Sequence, residues 1–213
     1  MTVLPVINCL DFRSAKERLM LAEKFIKKDD WIHLDVADGA FTHHKSWRSP
    51  TELANLRVPY KVEVHLMVEH PERQIDAWIA AGADRLIVHA ETLTQETARA
   101  ITAKARRRNI PVMLSSSPLT STAELWPLLK HFSHFQVLAV DPGPANQKFI
   151  PIVLKKIKFL RNFSPSAMIE VDGGVNVEVA RTVKKAGANL ITSSGFIWHS
   201  KNPKKAYRQL QKI

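Results

Sequence analysis

The sequence predicts an α/β protein of the (β/α)8 TIM barrel class, formed as a single domain by residues 1–213. Eight short apolar segments alternate with segments of helical periodicity along the whole chain, without a linker or a low-complexity tract. Strands that alternate with helices in this way form a parallel sheet. A length of 213 residues also suits eight compact strand–helix units. A doubly wound open sheet is the alternative, because it shows the same alternation.

The strands are predicted from short runs of apolar and β-branched residues that end in polar or glycine-containing loops. They cover residues 3–8, 31–36, 60–66, 85–89, 110–114, 135–140, 167–171 and 189–192. Helices are predicted over 11–27, 50–56, 71–81, 92–107, 120–129, 147–161 and 177–186, and a last helix begins at residue 203.

Capping and breaking residues set the predicted helix boundaries. Asp11 or Ser14 is a suitable N-cap for the first helix, because a short polar side chain can accept a hydrogen bond from the free backbone N–H groups there. Pro71 and Pro203 suit the first turn of a helix, where no backbone donor is needed. Gly82 marks a helix end.

The composition favours an anionic partner. Lys and Arg number 31 against 20 Asp and Glu, which gives a net charge of +11. The basic residues are spread along predicted helices, however, so we interpret them as solvated outer faces and expect neither nucleic acid nor membrane as a partner. A hydrophobic content of 45% suffices for a substantial core, and no apolar run is long enough to span a bilayer.

A cytoplasmic location is expected from two further features. Cys9 is the single cysteine, so no internal disulfide can form, as is usual in a reducing compartment. The N-terminal residues lack a basic region followed by a long apolar segment, so a secretion signal is not expected.

Polar residues at the ends of three predicted strands are the candidate functional residues. His33 and Asp35 lie on the same face of the second strand, because side chains alternate. His65 ends the third strand and Asp172 follows the seventh. In a barrel these ends meet at one face, where active sites form. Buried charges are costly unless they are paired or metal-bound, so a shared metal or proton-transfer site is the hypothesis. Ordinary core or surface roles are the alternative for each residue taken alone.

Several short motifs, in this order and spacing, resemble the ribulose-phosphate 3-epimerase family over nearly the whole chain. They are His33-Leu34-Asp35-Val36-Ala37-Asp38-Gly39, Val64-His65-Leu66-Met67-Val68-Glu69-His70-Pro71-Glu72, Ala80-Ala81-Gly82-Ala83-Asp84 with Val88-His89-Ala90-Glu91, Val140-Asp141-Pro142-Gly143 with Gln147-Lys148-Phe149, Glu170-Val171-Asp172-Gly173-Gly174-Val175, and Ala186-Gly187-Ala188-Asn189.

The resemblance implies a barrel of the ribulose-phosphate-binding type and a particular chemistry. His33, Asp35, His65 and Asp172 match the family's metal ligands, with Zn²⁺ or Fe²⁺ as the implied metal. Asp35 and Asp172 match its paired proton donor and acceptor. The implied reaction is inversion at C3 that interconverts ribulose 5-phosphate and xylulose 5-phosphate, a step of the pentose phosphate pathway. A phosphorylated ketose is thus the expected partner, and the enzyme is expected to form a homo-oligomer.

Departures from the family pattern cluster around the expected substrate. Val6 stands where the family usually has a serine, and Asn8 lies on the same face two positions later. Ala37 replaces a methionine, whereas the methionine of the third strand is kept as Met67. The loop of residues 41–47 replaces one with a Pro-Asn pair.

The phosphate-binding end is altered too. The family's Gly-Phe-Gly-Gly loop is Gly143-Pro144-Ala145-Asn146 here. Backbone N–H groups of glycine loops after the last strands of a barrel suit a phosphate. With Asn8 and Met67 expected to contact the sugar, the predicted phosphate contacts are Gly143, Asn146, Gly173, Gly174, Ser194 and Gly195.

Other functions stay open at this stage. The kept ligands and altered substrate contacts allow an epimerase for another ketose phosphate, such as a hexulose 6-phosphate. A non-catalytic barrel that binds a sugar phosphate is a second alternative. A decarboxylase or synthase of the phosphate-barrel type is a third, but no lysine is placed beside His33 and Asp35.

Overall fold

The computed structural model describes residues 1–213 and contains eight parallel strands that close into a barrel in the order β1 to β8. The strands are Thr2–Ile7 (β1), Trp31–Ala37 (β2), Lys61–Met67 (β3), Arg85–His89 (β4), Val112–Ser116 (β5), His134–Leu138 (β6), Ile169–Asp172 (β7) and Leu190–Ser193 (β8). The (β/α)8 prediction is confirmed, and the open sheet is excluded because β1 pairs with β8 from Thr2–Leu190 to Pro5–Ser193.

Helices follow the strands on the outside of the barrel. They are Phe12–Ala22 (α1), Pro50–Leu56 (α2), Ile75–Ala80 (α3), Gln95–Arg106 (α4), Thr122–Leu129 (α5), Val153–Phe163 (α6), Val177–Ala186 (α7), Gly195–Trp198 (α8) and Pro203–Gln211 (α9). Short 3-10 turns lie at Pro71–Arg73 and Ala90–Thr92. None of the helices combines the length and the apolar character needed to cross a membrane.

Side-chain caps begin most of these helices. The Asp11 carboxylate accepts the backbone N–H of Ser14 at 2.9 Å, as the sequence predicts. Thr94 and Ser121 form capping boxes at α4 and α5. A cap of this kind stabilises a helix by about 1 kcal/mol. Gly187 ends α7 with a φ of 118°, which a residue with a side chain adopts at a steric cost.

Four helices, α1, α3, α4 and α6, are several residues shorter than the sequence predicts. Helix α3, predicted over 71–81, covers Ile75–Ala80 after the 3-10 turn Pro71–Arg73, and α4, predicted over 92–107, covers Gln95–Arg106 after the 3-10 turn Ala90–Thr92. Helix α1 ends at Ala22 rather than near residue 27, and a turn leads from there to β2. Helix α6 begins at Val153 rather than at residue 147. Pro151 disfavours a helical conformation at the residue before it, so the helix forms only after the proline. The preceding residues instead form a loop whose carbonyl groups at Asp141 and Pro144 accept from the Gln147 amide.

Alternation along the strands sorts side chains between two layers. Apolar residues such as Ile32 and Leu34 face outward and join a core of 50 buried residues between strands and helices. The residues between them face into the barrel. Glu63, Gln136 and Glu170 therefore form a polar layer inside it, and all three are fully buried. The same alternation directs the candidate site residues of β2, β3 and β7 toward the C-terminal mouth.

Candidate active site

The four predicted ligands come together at the C-terminal mouth of the barrel. His33, Asp35, His65 and Asp172 each offer one nitrogen or oxygen atom, and these atoms all lie within 4.8 Å of one another. All four residues are buried. In the register of β2 and β3, Asp35 pairs with His65, which places the two side chains next to each other on the inner face.

Asp35 is the centre of this cluster. Its Oδ1 atom lies 3.1 Å from His33 Nε2 and 3.0 Å from His65 Nδ1. Its Oδ2 atom accepts a hydrogen bond of 2.9 Å from the Asn8 amide. Burial raises the pKa of Asp35, but hydrogen bonds from the two imidazoles outweigh burial and hold the pKa well below its usual value. The carboxylate is therefore ionised.

Asp172 has the opposite electrostatic environment. Its Oδ2 atom lies 3.6 Å from His65 Nδ1 and 3.9 Å from His33 Nε2, while Oδ1 accepts from the Thr192 hydroxyl. Burial raises the pKa of Asp172, and the charge of Asp35 raises it further against the attraction of His33. Two neighbouring carboxyl groups thus differ in their proton affinity, as pairs that share acid and base roles do.

A buried ion pair orients His33 from below. The Nδ1 atom of His33 lies 2.6 Å from Glu63 Oε1. The other oxygen of Glu63 accepts a hydrogen bond from the Arg85 guanidinium. This guanidinium stacks on Trp31, 4.1 Å from the centre of the ring. Burial raises the pKa of Glu63, but the Arg85 charge and the His33 hydrogen bond outweigh burial and lower it to about 2. Because Glu63 is an acceptor, it holds the His33 Nδ1 proton and leaves Nε2 facing the site.

The pKa of Glu170 is shifted in the opposite direction to that of Glu63. Burial and the charge of Glu63 raise the pKa of Glu170 well above its usual value, so this carboxyl group is neutral beside its charged neighbour. Burial also lowers the pKa of His33, but hydrogen bonds to Asp35 and Glu63 outweigh burial and raise it well above its usual value.

A second chain of hydrogen bonds orients His65. Its Nε2 atom lies 2.8 Å from His89 Nε2, and His89 Nδ1 lies 3.0 Å from Glu91 Oε2. Glu91 also accepts from Ser117 and Thr120 on the next loop. Burial raises the pKa of Glu91, but the His89 and Thr120 hydrogen bonds help to lower it to about 2.

The donor set fits a divalent metal. Two imidazole nitrogens and two carboxylate oxygens are ligands that Zn²⁺ and Fe²⁺ accept. The remaining nitrogen of each histidine contacts a hydrogen-bonding partner, Glu63 or His89, which is the usual support of a metal-bound imidazole. The cluster is thus able to hold a metal.

The other predicted site residues surround a cavity of about 370 Å³ at the same mouth. Asp35 and Asp172 form part of its wall, and His33 and His65 lie beneath. The predicted contacts that also line it are Asn8, Met67, Gly143, Asn146, Gly173, Gly174, Ser194 and Gly195. Their placement follows the prediction, and their roles as substrate contacts stay predictions.

The glycine loops of this cavity lie very close together. A side chain at Gly174 would collide with the backbone of Phe149, and one at Gly195 would collide with the Asn146 amide. Asn146 has a φ of 69°, in the left-handed region that asparagine tolerates. Asn146 therefore adopts a left-handed conformation at a position where the family pattern has glycine.

Three contacts that support the site were not predicted from the sequence. They join Thr192 to Asp172, Arg85 to Glu63, and His44 Nε2 to Asn8 Oδ1 at 3.0 Å. The inward position of Thr192 on β8 was a usable signal, since side chains alternate. The contact of His44 depends on a loop conformation that no local pattern indicates.

The fold and the site define the class of protein: a (β/α)8 barrel with a His/Asp cluster at the ends of its strands, as in sugar-phosphate epimerases. The family model described as the ribulose-phosphate 3-epimerase family matches residues 2–198. The chain belongs to this family and is an epimerase-like isomerase acting on carbohydrates.

Curated relatives agree with the family match. A ribulose-phosphate 3-epimerase of Schizosaccharomyces pombe is 31% identical, over 85% of this chain and 81% of its own. One of Bacillus subtilis is 32% identical, over 98% of this chain and 97% of its own. Among solved structures, the 3-hexulose-6-phosphate synthase of Salmonella typhimurium is similar with a TM-score of 0.75, over 100% of this chain and 97% of that one, at 15% identity. This last likeness concerns the fold alone.

Proposed function

We propose that this protein is a metal-dependent epimerase that inverts C3 of a ketose phosphate and interconverts ribulose 5-phosphate and xylulose 5-phosphate. The observation that carries the proposal is that the carboxyl groups of Asp35 and Asp172 lie next to the same two imidazoles, those of His33 and His65. The two aspartates come from strands on different sides of the barrel. The family match and relatives named ribulose-phosphate 3-epimerase support it.

The chemistry needs two groups that exchange protons with C3. Removal of the C3 proton beside a ketone gives an enediolate. A Zn²⁺ or Fe²⁺ ion held by His33, Asp35, His65 and Asp172 would supply Lewis-acid stabilisation of its charge. One aspartate accepts the proton from one face, and the other donates a proton to the opposite face. The carboxyl groups of Asp35 and Asp172 both line the cavity, so both can reach a bound sugar.

Supporting side chains keep each group in place. The two oxygens of Asp35 are held separately, one by imidazoles and one by the Asn8 amide. Thr192 holds one oxygen of Asp172 and leaves the other directed to the imidazoles. Fixed carboxyl groups lower the cost of reaching the reactive geometry.

The phosphate is assigned to the loops after β6, β7 and β8. Gly143, Gly173 and Gly174 have positive φ angles, which turn backbone N–H groups in directions that other residues rarely allow. Together with Ser194 and Gly195 they form the cavity wall that suits a dianion.

An epimerase for a different ketose phosphate, such as a hexulose 6-phosphate, is the second candidate. Val6 lines the cavity where the resemblance leads one to expect a serine, so one hydrogen bond to the usual sugar is missing. A lost hydrogen bond of this kind costs about 1–3 kcal/mol in binding. Exchange assays with several ketose phosphates therefore decide which of them is the substrate.

Exchange of the C3 proton for deuterium tests the function. Purified protein is reconstituted with Zn²⁺ or Fe²⁺ and incubated in D₂O with a panel of ketose phosphates. We expect exchange at C3 of ribulose 5-phosphate, and its loss in D35N and D172N. D76N, on the surface ion pair with Lys104, is the matched control. Exchange that persists in D35N contradicts the acid–base assignment, and no exchange with any sugar favours a binding protein.

We also infer a cytoplasmic enzyme of the pentose phosphate pathway that forms a homo-oligomer. One relative from rice is named a cytoplasmic isoform of ribulose-phosphate 3-epimerase. Fractionation of the source cells and light scattering of the purified protein test the location and the oligomeric state.

A further inference from the structure

Asn8 occupies a junction between three parts of the barrel mouth. Its Nδ2 atom donates to Asp35 Oδ2 at 2.9 Å and to the Gly143 carbonyl at 3.0 Å. Its Oδ1 atom lies 3.0 Å from His44 Nε2. The end of β1 is thereby connected to the end of β2, to the β2–α2 loop and to the β6–α6 loop.

The chemistry of these partners fixes every proton in the junction. Asp35 Oδ2 and the Gly143 carbonyl are acceptors only, so the NH₂ group of Asn8 must face them. The Asn8 oxygen then faces His44, and His44 Nε2 must carry the proton of that bond. Both amide protons of Asn8 are therefore used within the protein, and neither is free for a substrate.

The β2–α2 loop is held over the mouth beside this junction. The Thr42 hydroxyl donates to the Pro142 carbonyl at 2.8 Å. A side chain at Gly143 would collide with Thr42 Oγ1 and touch His44 Cβ at 3.0 Å, so the two loops are in close contact. Earlier in the same loop, the ring centroid of Phe41 lies 4.7 Å from that of His89. His44 is therefore held at a defined distance from Asn8.

We propose that Asn8 and His44 are positioning residues for the Asp35 carboxylate, with His44 acting through Asn8. This inference rests on the proposed function of Asp35 as an acid–base group. His44 fixes the plane of the Asn8 amide, and the amide fixes Oδ2 of Asp35 toward the cavity, while the imidazoles hold Oδ1. Asn8 and His44 thus act on the reaction and not on recognition of the sugar. This holds although Asn8 lies two positions after Val6, the residue on the same face that stands where the family pattern has a serine.

Turnover numbers of single and double variants test the order of action. We expect H44A to lower kcat about 10-fold and N8A about 100-fold, because small misplacements of a catalytic group cost this much, with KM within about 2-fold of the parent. If His44 acts only through Asn8, the double variant N8A/H44A is no slower than N8A. Multiplied effects in the double variant, or a rise of KM with unchanged kcat, would overturn the proposal.

Conservative replacement provides a second, independent readout. The Gln side chain presents a donor where His44 Nε2 stands, so H44Q recovers kcat to within about 3-fold of the parent. H43A is the matched control, because His43 is the exposed neighbour on the same loop. The comparison of H44A, H44Q and H43A is decisive even if N8A does not fold. H44A indistinguishable from H43A would refute the role of His44.

Side-chain NMR separates failure of this inference from failure of the proposed function. The NH₂ resonances of Asn8 report its hydrogen bonds without turnover, and we expect them to shift in H44A and to return in H44Q. A parent protein that exchanges no C3 proton contradicts the proposed function. If the parent exchanges the C3 proton normally and H44A has the same rate and the same Asn8 resonances, the inference about His44 is contradicted while the proposed function stands.

Discussion

His65 and His89 face each other through their Nε2 atoms at 2.8 Å, with nearly parallel rings 5.0 Å apart. Only one of the two nitrogens can carry the proton of this bond. Glu91 accepts from His89 Nδ1, so His89 is protonated there and accepts at Nε2. His65 therefore donates from Nε2, and a metal bound at Nδ1 would take the place of the proton that Nδ1 shares with Asp35 Oδ1 at 3.0 Å.

The affinity for metal should depend on this pair. H89F removes the acceptor for His65 Nε2 and releases its tautomer and ring orientation. We expect the dissociation constant for Zn²⁺ to rise about 10- to 100-fold, the range found when partners of metal-bound histidines are removed. Competition titration with a chromophoric chelator measures the constant, and H43A serves as the control. An unchanged constant in H89F would show that His65 needs no help from His89.

The ion pair of Glu63 and Arg85 should matter for folding. In E63A the buried guanidinium and the His33 imidazole both lose their carboxylate, and an uncompensated buried charge costs about 3–5 kcal/mol. We expect a loss of this size in the free energy of unfolding, measured by urea denaturation. The double variant E63A/R85M removes the charge as well and should be more stable than E63A; if it is not, the charge is not the cause.

Lys156 should make stability depend on pH at the alkaline end. Its ammonium group, held by Ser116 Oγ and the Ser117 carbonyl, is buried, and burial lowers its pKa from 10.5 to about 8. Between these two pH values the unfolded chain binds more protons than the folded one, so folding becomes more favourable as the pH rises. We expect the parent to gain stability relative to K156M between pH 8 and 10.5. A difference between the two that is constant over this range would contradict the lowered pKa.

A cationic groove between α7 and α9 should respond to salt. Seven basic residues line its two adjoining depressions: Arg181, Lys184, Lys185, Lys204, Lys205, Arg208 and Lys212. Lys184 donates to the main-chain oxygen of Ile213. Like charges repel and salt screens them. We expect K185E to raise the melting temperature in low salt, and the gain to fade in 1 M NaCl. K130E, at the C-cap that follows α5, is the control for net charge alone.

The sequence predicted that His33, Asp35, His65 and Asp172 meet at one point, because two rules suffice to place these four side chains. Side-chain alternation puts His33 and Asp35 on one face of a strand, and barrel closure brings the ends of β2, β3 and β7 together. Every strand boundary was placed within two residues of its observed position, because the apolar runs end at polar or glycine-containing loops. The register between two neighbouring strands cannot be predicted from the sequence of either strand alone. The contacts of Arg85 with Glu63, and of Thr192 with Asp172, thus became visible only in the structure.

Loop contacts were the least predictable part of the site. Asn8 was expected to contact the sugar, whereas in the structure its amide is bound to Asp35 and Gly143. The partner that completes its hydrogen bonds, His44, is 36 positions away on a loop without regular structure. The start of α6 at Val153 was also missed. The residues around Pro151 have a helical pattern, but the proline prevents the helix from starting before it.

The seam between β1 and β8 also has a consequence for biosynthesis. Thr2 to Pro5 are translated long before their neighbours Leu190 to Ser193. During translation the first strand keeps one unpaired edge until β8 has been made, and Asp172 joins Asp35 only after β7 has been made. A nascent chain halted before β7 should therefore bind metal poorly and depend on chaperones to shield that edge.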